Sequence, residues 1–355
     1  MARTKRLMEA CGLGDRQGII VHRSSNVFYL SGYTGEGLLL LSRDLRAIVT
    51  DFRYVEQAQQ QAPGFSVHQI SGISGHAQVA AGLAHGAGLT ELLYEDDYVT
   101  VKEGRALQEA LGEVTLAPLN MQPEKLREIK DEAEVALIEK ACAISCEAFD
   151  YILTQIKPGV TEKQLQRMLN YRLLELGADD TAFDTIVASG PNGSLPHAIP
   201  GDRQVETGDM ITFDFGAKLG GYCADMTRTV ALGQPGSQMR EIYEIVLRAQ
   251  ITCQEALAPG KICREVDAIA RKIIGEAGYG ERFGHGLGHA VGIDIHENPR
   301  LSPACGDSLR PGHVVTVEPG IYVPGLGGVR IENSCLVTET GARSLVSAPR
   351  ELIIL

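Results

Sequence analysis

An acidic residue inside an apolar strand is the sequence feature that most limits how this chain can fold. In Met210–Phe215 hydrophobic and polar residues alternate, so Asp214 would face the side of a strand opposite to the two phenylalanines. A two-residue turn at Leu219-Gly220 would fold the segment into a hairpin and place Asp225 directly opposite Asp214. Directly opposed β-carbons are roughly 4.5 to 5.5 Å apart, so the two carboxylates would repel each other. The pattern therefore predicts a hairpin that carries a cluster of negative charge.

A second pair of acidic residues repeats this arrangement later in the sequence. Glu318 and Glu332 lie at equal distances from Gly325 in two β-rich segments within 314–337, so a turn at the glycine would bring them opposite each other. One acidic residue on a strand is most often exposed to solvent, but two opposed pairs make that explanation much weaker. Partial burial would raise the pKa of all these carboxylates unless cations compensated them. Two divalent cations would balance the charge.

A nitrogen ligand for such cations is available in the glycine-rich segment 284–289, which reads Gly-His-Gly-Leu-Gly-His. Its glycines permit close backbone approach and leave the imidazoles of His285 and His289 unobstructed. His296 follows further along the chain. Oxygen ligands combined with one imidazole suit Mn, Co, Fe or Zn better than the all-oxygen site that calcium prefers.

Two other kinds of site do not fit this segment or the rest of the chain. A dinucleotide-binding loop does not fit, because His289 or Val291 stands where the third glycine of the motif is required. A serine hydrolase does not fit either, because the sequence contains no Gly-x-Ser-x-Gly motif. A metal site therefore remains the best interpretation of the acidic pairs and the histidines.

Composition and charge argue against several classes of protein. The formal net charge is −12 and the sequence has no long run of Lys and Arg, which disfavours nucleic-acid binding. The longest aliphatic run, Leu38–Leu41, is far too short to span a membrane, and no apolar signal-peptide core follows the mildly basic start. The eight cysteines include no Cys-x-x-Cys pair, so we expect reduced thiols and a cytoplasmic protein.

The order of β-rich and helical segments predicts two domains with an α+β organisation. The first, residues 1–121, alternates short β-rich runs with polar or alanine-rich segments, as expected for a small α/β domain. Two prolines within Ala117–Pro123 mark the predicted boundary, and the second domain would occupy residues 122–355. Helical segments of the second domain are expected around 137–151, from Thr161 onward, and in 239–257 and 263–277.

Together these residues resemble the pita-bread metallopeptidase family, which includes methionine aminopeptidase, prolidase, aminopeptidase P and the metal-free creatinase. The similar motifs are Asp214-Phe-Gly, Tyr222-Cys-Ala-Asp225-Met-Thr-Arg-Thr, His289, Val317-Glu318-Pro-Gly and Val329-Arg-Ile-Glu332-Asn. The match covers essentially the whole chain, although Cys223 stands where many members carry serine. The resemblance implies a C-terminal pita-bread domain, a smaller N-terminal creatinase-like α/β domain and two divalent metal ions. The implied metal ligands are Asp214, Asp225, His289, Glu318 and Glu332.

Within that family the chain is similar to the proline-specific branch. His285 and His289 form a two-histidine segment, whereas methionine aminopeptidases usually have one histidine there. The segments Asn26–Gly32 and Thr50–Tyr54 also resemble that branch. The resemblance implies a homodimer that hydrolyses the Xaa-Pro bond of dipeptides or short peptides with Mn, Co or Zn. A broader or methionine-type aminopeptidase is the alternative enzyme, and the intact ligand set disfavours a non-catalytic peptide-binding relative.

The resemblance also implies how the ligand set works. A hydroxide shared by the two metal ions would attack the peptide carbonyl, with Glu318 as the general base that later passes the proton to the proline nitrogen. Asp214 would chelate one metal ion, while Asp225 and Glu332 would bridge both.

Several residues outside the ligand set complete the expected site. His197 and His296 match the family's outer histidines, which bind substrate and stabilise the tetrahedral intermediate. His285 and Arg330 would contact substrate near the prolyl group or brace the glutamates. Thr227 lies two residues after Asp225 on the same strand face, where it would hydrogen-bond a metal ligand, although packing or β-propensity explains a threonine there equally well.

Overall fold

The chain divides into two compact units, Met1–Arg127 and Glu128–Leu355. The computed structural model describes residues 2–71 and 75–355. The first unit contains a mixed six-stranded sheet with helices, and the second contains four longer helices and several small sheets.

A mixed six-stranded sheet forms the centre of the first unit. Its strands are β1 (Gln17–Val21), β2 (Leu38–Leu41), β3 (Arg46–Thr50), β4 (Ser66–Gln69), β5 (Glu91–Tyr94) and β6 (Thr115–Pro118). The helices are α1 (Ala2–Ala10), α2 (Ser24–Ser31), α3 (Val55–Gln61), α4 (His76–Gly86), α5 (Val101–Leu111) and α6 (Gln122–Arg127). The order β4-β3-β2-β1-β5-β6 is antiparallel from β1 to β3 and parallel elsewhere. The leucines of β2 are all buried, as expected for an apolar run in a covered sheet.

The first unit ends at Arg127, beyond the predicted boundary at residue 121, because α6 is part of its fold. The buried Arg127 guanidinium donates to Ser25 Oγ at 2.9 Å and to Asn26 Oδ1 at 2.7 Å. The Tyr29 hydroxyl donates to the Leu126 carbonyl at 3.4 Å. The prolines that suggested a linker lie instead at the end of β6 and in the first turn of α6, where a missing N–H is tolerated.

Four helices of the second unit occupy the segments with helical periodicity. They are α7 (Glu132–Leu153), α8 (Glu162–Glu175), α9 (Ser237–Glu255) and α10 (Cys263–Glu276). The prediction that a helix follows Thr161 is confirmed, because the Thr161 hydroxyl accepts from the Gln164 N–H at 3.1 Å and the Gln164 side chain bonds the Thr161 N–H. Two short 3₁₀ segments are Gly190–Ser194 and Gly280–Arg282.

Small antiparallel sheets carry the rest of the second unit. The strands are β7 (Asp180–Thr181), β8 (Ile186–Ser189), β9 (Met210–Phe215), β10 (Ala217–Leu219), β11 (Tyr222–Cys223), β12 (Met226–Ala231), β13 (Gly288–Ala290), β14 (Glu297–Leu301), β15 (Val314–Val317), β16 (Gly320–Val323), β17 (Gly327–Arg330), β18 (Asn333–Val337) and β19 (Ala342–Ser344). The sheets are β12-β9-β8, β11-β10-β7, β14-β13-β15-β18-β19 and β16-β17. The buried faces of α9 and α10 form one apolar core with β15, β16, β17 and β18.

The first predicted hairpin is present, but its predicted register is wrong. Asp214 pairs with Thr227 rather than with Asp225. The turn uses Gly220 and Gly221, whose φ angles of 56° and 83° suit a type I′ turn, instead of Leu219 and Gly220. A shift of two residues keeps every side chain on its face, so both aspartates still line one cavity.

The register of the second hairpin is confirmed. Gly320 of β16 pairs with Arg330 of β17, and Val317 of β15 pairs with Asn333 of β18. Both pairs are centred on Gly325, so the positions between them bring Glu318 and Glu332 opposite each other. The backbones of Glu318 and Glu332 do not hydrogen-bond to each other. The Glu318 N–H donates to the Leu287 carbonyl, and the Glu332 N–H donates to the Thr227 carbonyl.

Within the residues that the structure describes, no helix combines the length and the apolar character needed to cross a membrane.

Candidate metal centre

The five residues expected as metal ligands line one cavity of the second unit. One side-chain ligand atom from each of Asp225, His289 and Glu332 lies within 4.8 Å of the other two. His289 Nε2 is 3.5 Å from Asp225 Oδ2 and 3.4 Å from Glu318 Oε1. Asp214 lies on β9, the strand that pairs with β12. The second unit therefore gathers four carboxylates and one imidazole from segments far apart in sequence.

The hydrogen bonds of His289 determine its tautomer. Its Nδ1 is 3.1 Å from the Ala290 carbonyl oxygen, which can only accept, so Nδ1 carries the proton. Burial lowers the pKa of His289 to about 3, so the imidazole is neutral and Nε2 is an acceptor. That lone pair faces oxygens of Asp225 and Glu318, which are acceptors too. While both carboxylates are ionised, such a contact is repulsive unless a cation lies among the three groups.

The carboxylates show the same need for a cation. Asp214 Oδ1, Asp225 Oδ1 and Glu332 Oε1 are buried and have no hydrogen-bond partner. Burial, followed by repulsion from neighbouring carboxylates, raises the pKa of Asp225 and of Glu332 well above its ordinary value. Burial also raises the pKa of Glu318 to about 8. Divalent cations would satisfy the open oxygens and keep these groups ionised, so the donor set fits a metal site.

Arg330 braces this cluster from one side. Its guanidinium is 4% exposed and donates to Asp214 Oδ2 at 2.6 Å. It also donates to Thr227 Oγ1 at 3.2 Å, and Thr227 in turn donates to Glu332 Oε2 at 2.7 Å. Thr227 therefore hydrogen-bonds Glu332, one of the five residues expected as metal ligands. Arg330 orients one carboxylate directly and another through the threonine.

His285 lies at the end of the same hydrogen-bond chain. Its Nδ1 donates to the Gly286 carbonyl at 2.8 Å, and burial lowers its pKa to about 4, so Nε2 is an acceptor. The Tyr322 hydroxyl, 2.8 Å away, donates to that nitrogen and accepts from Arg330 at 2.8 Å. The sequence interpretation did not include Tyr322, although it lies four residues after Glu318 in the β-rich segment.

Gly288 allows the histidine segment to approach β15 closely. A β-carbon at this position would lie 2.1 Å from the Thr316 carbonyl oxygen, so only glycine fits. The close approach lets the His289 N–H donate to Thr316 Oγ1 at 3.0 Å, and the same hydroxyl donates to Glu318 Oε1 at 3.2 Å. Thr316 was also missed in the sequence, where its position two residues before Glu318 was the available signal.

The cavity in front of the cluster has a volume of about 830 Å³. Its polar lining includes the exposed side chains of His197, His296 and Arg300. The His296 ring packs edge-on against His289 with 4.4 Å between ring centroids. The apolar lining includes Phe183, Ile186, Pro196, Ile199 and Pro200. A cavity of this size accepts a small peptide. The five expected ligands line it together with His197, His296, His285 and Arg330, whereas Thr227 is fully buried and does not.

The chain is similar to known peptidases along most of its length. It shares 42% identity with Uncharacterized peptidase YqhT of Bacillus subtilis (strain 168), over 95% of this chain and 96% of the relative. The solved structure of Xaa-Pro dipeptidase from Bacillus anthracis superposes with a TM-score of 0.95 at 41% identity, covering 100% of this chain and 99% of the other. X-Pro aminopeptidase from Thermotoga maritima MSB8 gives a TM-score of 0.90 at 35% identity, covering 99% and 100%.

Two family descriptions divide the chain in the same way as its fold. Residues 136–339 match the sequence model of Metallopeptidase family M24, and residues 2–129 match that of the Creatinase/Prolidase N-terminal domain. The chain therefore belongs to metallopeptidase family M24, with a pita-bread catalytic domain preceded by a creatinase-type N-terminal domain.

Proposed function

We propose that this chain hydrolyses the Xaa-Pro bond of dipeptides and short peptides with two divalent metal ions, Mn, Co or Zn. The observation that carries the proposal is the cluster of acceptors, in which the His289 Nε2 lone pair faces carboxylate oxygens and further buried oxygens have no partner. Xaa-Pro dipeptidase and X-Pro aminopeptidase, the names of two similar structures, support the substrate class. The residues that would hold the ions are Asp214, Asp225, His289, Glu318 and Glu332.

When bound, divalent cations supply Lewis acidity that polarises a peptide carbonyl and makes water nucleophilic near neutral pH. Glu318 would accept the proton of the attacking water on its carboxylate and then pass it to the departing proline nitrogen. The side chain lines the cavity and is 17% exposed, so its carboxylate is accessible to a water molecule beside the substrate. The Thr316 hydroxyl would hold Glu318 Oε1 in place during this exchange.

His197 and His296 would bind the substrate and stabilise charge as the carbonyl becomes tetrahedral. Both side chains are exposed to the cavity, so their ring N–H groups are available to a bound peptide. A donor aimed at an oxyanion in a site that excludes water contributes on the order of 3 kcal/mol to the barrier. His296 also packs on His289, which ties its position to the ligand set.

Arg330 and His285 were expected either to contact substrate or to brace the glutamates, and their hydrogen bonds favour bracing. Arg330 already donates to Asp214, Thr227 and Tyr322. His285 is bonded to Tyr322 through Nε2. We therefore propose that Arg330 orients Asp214 directly, and that His285 acts through Tyr322.

Arg300 bears on the length of the peptide. Its exposed guanidinium lines the cavity, where a carboxylate would be attracted to it. A dipeptide carries its free carboxylate on the proline itself, close to the scissile bond, whereas a longer peptide carries an amide there. We propose on this ground that dipeptides are preferred over longer Xaa-Pro peptides.

The proposal is tested by removing metal with a chelator, restoring Mn, Co or Zn separately, and measuring release of the first residue. The substrates are Xaa-Pro, Xaa-Pro-Zaa, Xaa-Ala and Met-Ala-Zaa peptides. We expect cleavage of Xaa-Pro only after metal is restored, with Xaa-Pro-Zaa cleaved more slowly. Cleavage of none of these peptides would contradict the enzyme, and preference for Met-Ala-Zaa would contradict the proline specificity.

A pair of matched variants tests the role of Glu318. Glu318→Gln removes the proton acceptor and should lower turnover by about 10² to 10⁴ while metal is still bound. Glu339→Gln removes the same charge from an exposed position and should leave turnover unchanged. Full turnover by the metal-loaded Glu318→Gln variant would contradict the proposed general base.

Two further expectations are part of this proposal. The chain would form a homodimer, and light scattering tests this directly. A monomer with full activity would contradict it. It would work in the cytoplasm, and its eight free cysteines support a reducing compartment.

A further inference from the structure

The segment 189–201, which we call the His197 loop, forms one wall of the cavity. His197 lies near its far end with an exposed side chain, and Pro196, Ile199 and Pro200 line the cavity beside it. Its beginning is anchored, because a β-carbon on Gly193 would lie 3.1 Å from the Gly328 backbone nitrogen on β17. The part of the loop that carries His197 follows this anchored turn.

A buried carboxylate joins the two ends of the His197 loop. Glu162, the first residue of α8, is 0% exposed. Its Oε1 accepts from the Ser189 N–H at 2.7 Å and from the Ser189 hydroxyl at 2.8 Å. Its Oε2 accepts from the Gly201 N–H at 3.1 Å, and the Asn192 amide bridges both oxygens at 3.1 Å. One side chain therefore closes the loop on itself.

The backbone around Glu162 gives the carboxylate a fixed position. The Glu162 N–H donates to the Arg203 carbonyl at 3.1 Å, and the Lys163 N–H donates to the Gly201 carbonyl at 3.1 Å. The helix N-terminus also favours a negative charge at this position. Every donor that reaches the carboxylate through these bonds belongs to the loop, so the charge organises the loop rather than a binding partner.

We propose that Glu162 is a positioning residue that holds His197 at the distance and angle needed for substrate, which rests on the proposed role of His197. Glutamine in its place retains one acceptor oxygen but turns a donor amide towards donor groups of the loop. With the oxygen kept at Ser189, the Gly201 N–H loses its acceptor, and the end of the loop nearest His197 is released. Displacement of a substrate-contacting group by about 1 Å costs up to roughly 100-fold in rate.

A double-mutant cycle on Ala-Pro hydrolysis by the metal-loaded enzyme tests the proposal. Glu162→Gln should lower kcat/KM by about 10-fold to 100-fold in the wild-type background and by less than about 2-fold in the His197→Ala background. Glu175→Gln removes an exposed charge from the same helix and should change neither background. An equal loss in both backgrounds, or no loss in the wild type, would overturn the proposal.

Hydrogen exchange provides a readout that does not depend on catalysis. Amides in 195–201 should exchange at least about tenfold faster in Glu162→Gln than in wild type, while those of α9 and α10 stay unchanged. Asn192→Ala removes donors from the loop side and should produce the same pattern if Glu162→Gln folds poorly. Unchanged exchange in the loop of either folded variant would overturn the proposal. Faster exchange in a chain whose wild type cleaves no Xaa-Pro peptide would contradict the proposed function instead.

Discussion

Removal of the metal ions should make the stability of this protein depend on pH through Glu318. Burial raises the pKa of Glu318 from 4.5 to about 8. Between these values the unfolded chain has lost the proton and the folded chain retains it, so the free energy of unfolding falls as pH rises. Each pKa unit is worth about 1.36 kcal/mol, so the destabilisation is absent in acid and reaches on the order of 5 kcal/mol above pH 8.

Buried histidines titrate with the opposite sign and have to be separated from this effect. Burial lowers the pKa of His285 to about 4 and those of His289 and His313 to about 3. The unfolded chain binds protons at these histidines at a higher pH than the folded chain does. Their contribution to the free energy of unfolding therefore increases as pH rises towards about 6.5. Glu318→Gln retains the histidines and lacks the titrating carboxyl. The difference between wild type and this variant therefore removes the histidine contributions and reports the Glu318 carboxyl together with its repulsion of Asp225 and Glu332.

Urea unfolding of the metal-free proteins measures that difference. The chain has no tryptophan, so circular dichroism is the appropriate signal. Between about pH 5 and pH 8 the free energy of unfolding of the wild type should fall by about 3 kcal/mol relative to Glu318→Gln. Saturating Mn should remove the shift, because a bound cation keeps the carboxylate ionised. A difference that stays constant, or that moves in favour of the wild type, would refute the reasoning that burial keeps the proton on Glu318.

Three other predictions follow from single contacts of the second unit. Lys130→Met breaks an ion pair with Glu297 in which the N–O distance is 3.0 Å and the side chains are 1% and 7% exposed. The free energy of unfolding in urea should fall by about 3 to 5 kcal/mol, because the Glu297 charge is left buried without a partner. Lys130→Met/Glu297→Gln should recover part of this loss. Equal losses in both proteins would contradict the burial penalty. Thr227→Val should weaken Mn binding about 10-fold to 100-fold in calorimetry, and unchanged affinity would show that its bond to Glu332 does not orient a ligand. Gly216→Ala places a β-carbon 1.8 Å from a backbone oxygen and should lower the free energy of unfolding in urea by about 3 kcal/mol. Gly236→Ala, with nothing within 4 Å of its β-carbon, should lower it by less than about 1 kcal/mol. Equal losses in the two variants would contradict the close approach at Gly216.

Local sequence signals were sufficient for the longer helices of the second unit. The helix start at Thr161 and the helical segments expected in 239–257 and 263–277 depend on neighbours within a few residues, and helices are present at all three. The domain boundary depended on tertiary packing instead. Prolines around residues 117–123 suggested a linker, but Arg127 reaches back to Ser25 and Asn26 and keeps α6 in the first unit.

The two acidic hairpins show where register arguments succeed and fail. Gly325 marked the second turn correctly because it is the central residue of a symmetric pattern. At the first turn, Leu219-Gly220 and Gly220-Gly221 were both compatible with a short hairpin, and only the second places glycine at both left-handed positions. The difference of two residues in register left both aspartates on the predicted face, so the predicted set of site residues did not change.

Residues that brace the site were harder to find than those that form it. Asp214 and Glu332 stand out as charges in apolar strands, whereas Tyr322 and Thr316 are ordinary strand residues until the fold brings Arg330 and His289 against them. Glu162 gives no signal at all in the sequence, because its hydrogen-bond donors come from a loop that starts at Ser189. Such contacts depend on the assembled tertiary structure.

The most direct test of the central claim is the number of metal ions bound per chain, measured by elemental analysis after equilibration with Mn, alongside Xaa-Pro hydrolysis. We expect two ions and activity in the wild type and in the exposed-charge control Glu339→Gln. Glu332→Gln, which loses a buried carboxylate with an open oxygen, should bind fewer ions and lose hydrolysis. A wild-type protein that binds no divalent metal, or that cleaves Xaa-Pro peptides at full rate after chelation, would contradict the account.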